Sequence, residues 1–229
     1  MKRQFAVIGL GRFGYSVAET LVRKGMEVLA IDLDDNNIQA ISDVVTFAVQ
    51  CDATDARALK AVSTQNVDVA IVSIGENIEA SILIVQTLKE MGVKSIIAKA
   101  VTNTHGQILT NLGVDEVIYP ERDAAMRLAH RLVSPNVLDY LELAPGYSVE
   151  EVTVPVKLTG QRLGDAHIPE QYRLNVIGIK KHVTRMIKGK MMKEEVFNVT
   201  PSLDEIVEKG DVLVVIGKEE DLDRFCDLE

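Results

Sequence analysis

Three glycines, Gly9, Gly11 and Gly14, stand in the run Phe5-Ala6-Val7-Ile8-Gly9-Leu10-Gly11-Arg12-Phe13-Gly14, and their spacing suits chemistry of a holding kind. Four apolar residues precede them and an amphipathic stretch follows, so the glycines fall on a strand-to-helix turn. At such a turn Gly9 permits a tight reversal, Gly11 lets a pyrophosphate approach the main chain, and Gly14 lets the helix pack close to the strand. The unpaired N–H groups and positive end of the helix then face the anion. A second β-branched run ends at Asp32, 18 residues beyond Gly14. A carboxylate there accepts hydrogen bonds from adenosine ribose hydroxyls and repels a 2′-phosphate. The pattern predicts a nucleotide site that takes ATP, ADP or NAD(H) rather than NADP.

Residues at later strand ends extend this site. Arg12 and Phe13 lie inside the loop, where the Arg12 guanidinium either reaches a further phosphate bidentately or stands in solvent. Asp52-Ala53-Thr54 follows the third strand; Asp52 is placed to accept from an adenine amino group, and Thr54 is expected to cap the next helix. Gly75 follows the fourth strand and allows close approach of a ligand. Lys99 ends the fifth, either as a phosphate contact or as a surface lysine.

The elements that must position these residues repeat one rhythm over 1–120: a short apolar run, a turn, then a stretch of helical period, the pattern of βαβ units. Strands are expected at Phe5–Ile8, Val28–Ile31, Thr46–Val49, Val69–Val72, Ile96–Ala98 and Glu116–Ile118, with helices near 12–24, 35–42, 55–62, 78–91 and 104–112. Runs such as Val69-Ala70-Ile71-Val72 suit parallel strands buried on both faces. A helix is expected from Asp123 to Val133, broken at Ser134-Pro135 and resuming through Leu138–Leu141. Beyond Tyr147 the pattern is of short strands at 152–154, 176–179, 186–187 and 212–216, a turn at Lys188-Gly189-Lys190 and a last helix at 221–225. The fold class is therefore α/β: a Rossmann doubly wound parallel sheet over 1–134, with a crossover helix at 123–142, and then a small α+β domain over 143–229.

Composition narrows the function. The chain carries 25 basic against 34 acidic residues, a net charge of −9, which argues against a nucleic-acid partner. Its two cysteines, Cys51 and Cys226, form no metal motif and suit a reducing compartment. The four histidines show no metal-ligand spacing. No stretch approaches the roughly 18 apolar residues of a membrane span, and the first residues lack the features of a secretory leader. The basic stretch Lys180, Lys181, Arg185, Lys188, Lys190 and Lys193 is followed by Glu194 and Glu195 and is read as a solvated hairpin face.

With these residues in order the chain resembles the regulatory RCK proteins of bacterial potassium uptake systems of the Ktr/Trk type. The resemblance rests on Val7 through Gly14, Asp32, Asp52-Ala53-Thr54, Asn77–Ser81, Lys99-Ala100, Pro120–Asp123, Asn136–Tyr140, Arg173–Lys180 and Gly210–Gly217. It implies an RCK N-terminal and an RCK C-terminal domain, and a cytoplasmic regulatory subunit, peripheral at the inner face of the membrane. Its partner would be an integral membrane potassium-translocating subunit, and its homodimers would assemble into an octameric ring. It also implies that Arg12 reaches the γ-phosphate and that Glu121 helps hold a divalent cation near the nucleotide. Cyclic di-AMP would bind at Arg173, Asn175, Val176 and Ile177.

Two other classes share the glycine loop. An NAD-dependent dehydrogenase, or an NADH-sensing Rossmann protein, would use it for the cofactor, but the C-terminal region offers no recognisable histidine–carboxylate arrangement for proton transfer. A redox-sensing repressor would need a recognition helix, and the acidic balance opposes it. The expectation is a regulatory protein and not an enzyme.

Overall fold

The computed structural model describes residues 3–133, 136–187 and 190–228, with only the backbone course of 184–187 and 190–193. The chain separates into two compact units, Met1–Glu121 and Arg122–Glu229.

The first unit alternates strands and helices: β1 Gln4–Ile8, α1 Arg12–Arg23, β2 Glu27–Asp32, α2 Asp35–Ile41, β3 Phe47–Gln50, α3 Ala56–Ala61, β4 Val69–Val72, α4 Ile78–Glu90, β5 Ile96–Lys99, α5 Asn103–Asn111 and β6 Glu116–Ile118. The strands form one parallel sheet in the order β3-β2-β1-β4-β5-β6. All eleven elements match the sequence expectation to within about a residue or two, because strands buried on both faces must be continuously apolar. Every residue of β4 is buried. Alternate side chains feed two cores: Ala6, Ile8, Ile31 and Val72 on one face, Val7, Val28, Ala30 and Ile71 on the other. Burial of each large aliphatic side chain stabilises the sheet by about 1.5–3 kcal/mol.

Four of the helices carry side-chain caps. Asp34, Asp55, Asn77 and Thr102 each accept from a main-chain N–H in the first turn of α2, α3, α4 and α5. These caps fix helix starts at the carboxyl edge of the sheet, where β1 lies between β2 and β4 and the strand order reverses. A doubly wound sheet opens its ligand crevice at that switch point.

The helix α6, Pro120–Val133, begins where the first unit ends. The second unit continues with β7 Val137–Ala144, β8 Tyr147–Thr153, α7 Ile168–Tyr172, β9 Asn175–Ile187, β10 Lys190–Asn198, β11 Val212–Lys218 and α8 Glu219–Cys226. Its five strands are antiparallel in the order β10-β9-β11-β8-β7. Val152, Leu174, Ile179, Leu213, Val215 and Phe225 build its core, and Tyr172 packs edge-on against Phe225 at 5.2 Å between ring centroids.

The second unit corrects several expectations. Leu138–Leu141 does not resume the helix, so α6 ends before any crossover helix reaches 142. That segment lies in β7, paired across from β8 at Tyr140↔Glu150 and Leu141↔Val149; cross-strand pairing overrides the helical spacing of its leucines. The runs at 176–179 and 186–187 belong to one strand, β9. β10 is the return strand that the hairpin reading of Lys180 to Lys193 implies without giving it a range, and α7 was not expected. The break at Ser134-Pro135, and Lys188-Gly189 of the expected turn, lie outside the described residues.

Candidate functional site

The glycine loop is held by main-chain atoms. Gly9, at φ +90°, occupies backbone space that other residues rarely adopt, and its N–H donates to Ile31 O at 2.8 Å. The buried Ser73 hydroxyl, at the end of β4, donates to Gly9 O at 3.0 Å. Gly14 lies directly over this oxygen: a Cβ there would stand 1.9 Å from Gly9 O and 2.7 Å from Ser73 Oγ. Gly11 is the opposite case, since a Cβ on it would meet nothing within 4 Å. The loop therefore packs tightly beneath Gly14 and leaves open space before Gly11, at the N-cap of α1.

Asp32 closes one side of that space. Its Oδ2 accepts from Leu10 N at 2.5 Å and from Asn37 Nδ2 at 3.2 Å, and its Oδ1 accepts from Asp34 N at 2.8 Å. The carboxylate is thus oriented by three donors and ties β2 to the glycine loop. Arg12, the first residue of α1, is exposed, and its guanidinium has no partner among the described residues.

On the other side, Lys99 is only 7% exposed. Its ammonium pairs with Glu121, in the first turn of α6, and sits 6.0 Å from the centroid of the Phe13 ring. A Cβ at Gly75 would lie 3.7 Å from Lys99 Nζ. Phe13, Gly75, Lys99 and Glu121 thus converge, and Lys99 is not a surface lysine. The hydrogen bond from Lys99 holds the Glu121 carboxyl below its ordinary range. Among the described residues no three His, Cys, Asp or Glu side chains group closely enough to hold a metal ion, and Glu121 faces a cation of the chain itself.

Asp52 and Thr54 form a turn of their own. Asp52 Oδ1 accepts from Thr54 N at 2.9 Å and from Thr54 Oγ1 at 2.6 Å, bonds that lower the Asp52 carboxyl from its ordinary value. Thr54 does not cap the following helix; Asp55 does, accepting from Arg57 N. The reason is spacing: α3 begins at Ala56, so its N-cap is one residue later than the sequence suggested. Ala53 is buried between them.

In the second unit, Arg173 adopts a left-handed conformation at φ +59° and with Asn175 lines a cleft of about 310 Å³ that also includes Lys218 and Asp221. Val176 packs against the core and Ile177 is exposed, and neither lines that cleft. Ser73 and Asn37 were missed by sequence reasoning. Ser73 directly follows the apolar run of β4 at the carboxyl edge, and that position alone could have marked it.

Comparisons with known proteins agree with this architecture. Residues 5–120 match the TrkA-N domain family and residues 149–229 the TrkA-C domain family. The chain is similar to Ktr system potassium uptake protein C of Bacillus subtilis (strain 168), with 43% identity over 98% of this chain and 96% of that protein. It is also similar to Ktr system potassium uptake protein A of the same organism, at 35% identity over 97% and 95%. A solved structure described as the GsuK channel bound to NAD has the same fold, with a TM-score of 0.62 at 15% identity, over 97% of this chain and 38% of the longer channel chain.

Proposed function

The chain belongs to the Ktr/Trk family of RCK potassium-uptake subunits, and from that premise we propose that it is a regulatory subunit that senses adenine nucleotides and gates a membrane potassium-translocating partner. One observation carries the reading: the open space before Gly11, bounded by the N-terminus of α1, by Asp32 and by the loop that Gly14 locks. A pyrophosphate there would meet main-chain N–H groups and a positive helix end, and a ribose would meet an oriented carboxylate.

The residues divide the work. Gly9, Gly11, Gly14 and Asp32 contact what ATP and ADP share, with Asp52, Ala53 and Thr54 placed toward the base. Arg12, exposed and without a partner among the described residues, is the discriminator, because a ligand shifts an equilibrium only by its differential affinity for two states. ATP and ADP differ only at the γ-phosphate. Lys99 is a cation held in reserve: a phosphate near Phe13 and Gly75 competes with Glu121 for it. With Lys99 drawn to a phosphate, Glu121 would be the side chain available to hold a divalent cation, which would neutralise phosphate charge there. The Ktr relatives are named for potassium uptake, which supports regulation over turnover. The same naming supports an integral membrane potassium-translocating partner; homodimers in an octameric ring and a cytoplasmic, peripheral location belong to the same proposal. No helix of the described residues is long and apolar enough to cross a membrane. Arg173 and Asn175 are where a second ligand, cyclic di-AMP, would dock.

Calorimetric titration with ATP, ADP and NADH tests the reading. Both adenylates should bind, and a saturating adenylate at about 100 times its Kd should stabilise the chain by about 2.7 kcal/mol. NADH binding alone, with hydride transfer to an acceptor, would replace this function with a dehydrogenase.

A further inference from the structure

Glu150, in β8, has no part in the nucleotide reading and is 1% exposed. A carboxylate this deep needs a cationic partner or must hold a proton, because removal of its charge from water is costly. Three side chains surround it: Ser148 Oγ donates to Oε1 at 3.3 Å, Cys226 Sγ lies 3.9 Å from Oε2, and His130 Nε2 lies 3.2 Å from Oε1. His130 reaches in from α6. Its ring stacks on Tyr140 of β7 with centroids 4.2 Å apart, and the Tyr140 hydroxyl donates to Glu219 at 2.9 Å. The imidazole is therefore fixed in place. Its buried Nε2 is out of line for a hydrogen bond to Glu150, so the attraction between the two depends on charge.

Acidic groups surround the cluster. Asp223, Asp227 and Glu219 from the α8 side and Glu142 from β7 are acidic, and the Cys226 thiol is pushed up to about 12 by burial and by the charges of Glu150, Asp223 and Asp227. Val215 of β11, opposite Glu150, is apolar. No residue of α6 is buried, so little apolar packing competes with the His130 contact in holding this helix.

We propose that His130 and Glu150 form a proton-operated latch that fastens α6 to the sheet of the second unit, closed while the imidazole is protonated and released as rising pH removes that proton. Histidine is the side chain that changes charge between about pH 5 and pH 8, and a close pair titrates as one system. The sign follows from both members. Protonated imidazole gains a buried counter-ion, so its contribution is present at low pH and lost as pH rises. Burial pushes the Glu150 carboxyl up, so ionised Glu150 is costly once its partner is neutral. His130 and Glu150 both lie in the second unit, and because the first turn of α6 also carries Glu121, the latch is tested without nucleotide.

Hydrogen exchange of the full-length chain without nucleotide tests it. Protection of α6 amides, corrected for the intrinsic exchange rate, should fall about tenfold between about pH 5.5 and pH 8.5, while α4 stays constant. Glu150→Gln should abolish that dependence. A flat α6 profile in the native chain, or a fall that persists in Glu150→Gln, overturns the proposal. NMR titration of the His130 ring in the unaltered protein removes any dependence on the variant's folding. The ring should lose its proton over the range in which α6 loosens, and a ring neutral throughout overturns the latch.

Discussion

In the first unit the residues that meet at the sheet edge are held mainly by main-chain atoms; in the second, the buried polar centre is held by side chains. Gly9 bonds to Ile31 and Ser73, and Asp32 takes Leu10 N and Asp34 N. Around Glu150 the partners are Ser148, Cys226 and His130. The difference teaches what each unit can tolerate. A main-chain cradle resists changes of protonation but cannot accept an added methyl where backbone meets backbone. A side-chain cluster accepts small changes in shape but answers to the proton.

The sharpest test is Gly14→Ala. Its new methyl would collide with a main-chain oxygen that cannot move aside, so a loss above about 4 kcal/mol is expected, enough to unfold the first unit in a denaturant titration. Gly11→Ala, with open space around it, should leave stability within about 1 kcal/mol and weaken adenylate binding instead. Equal melting behaviour in the two variants would erase the distinction between packing glycine and ligand glycine.

Next in size is Phe225→Ala, which should cost the second unit about 3–4 kcal/mol through loss of a fully buried ring and its contact with Tyr172. Calorimetry should find adenylate affinity unchanged; a matching loss of affinity would show that the units are not energetically separate. Asp32→Ala should weaken ATP and ADP together by about 1.5–3 kcal/mol, and a selective loss of one nucleotide would contradict its ribose role. Arg12→Ala should leave ADP affinity intact and remove an ATP preference of about 1–3 kcal/mol, read by parallel titrations.

The smallest effect concerns pH, and it separates the units by sign. His105 of α5 is buried, its Nε2 has no partner among the described residues, and burial lowers its imidazole from the ordinary value. The unfolded chain takes up a proton near about pH 6.5 before the folded chain does. Stability from neutral His105 is therefore complete above that pH and declines as pH falls through the folded value, by under about 1 kcal/mol. Denaturation of the first unit at about pH 7.5 and about pH 5.5 should show this decline, and His105→Gln should flatten it. The second unit should show the reverse trend, loosening as pH rises. A common direction in both would mean that one of the two histidines is misassigned.

The same contrast explains what was legible in the sequence. In a parallel sheet covered on both faces, local pattern and tertiary role agree, so β4 reads directly from Val69-Ala70-Ile71-Val72. The glycine triplet and Asp32 were readable because a fixed turn demands those types at that spacing. In the second unit, Val137-Leu138-Asp139-Tyr140-Leu141 has a spacing that serves helix or strand equally. Pairing with β8, through register shifts near Val137 and Ala144, decides it, and nothing local announces that partner. β10 is dense in charge and becomes a strand because it lies along β9. His130, Glu150 and Cys226 are separated by 20 and 76 positions and meet only once the sheet has formed.

The contact of Gly14 with Gly9 O bears on how a bound molecule is read out. A helix seated with no gap between its own backbone and the strand below has no slack for sliding or tilting when one phosphate is exchanged for two or three. In the proposed site, news of the nucleotide would be carried by the exposed Arg12 and by exchange of the buried Lys99 ammonium away from Glu121, while the glycine platform stays still.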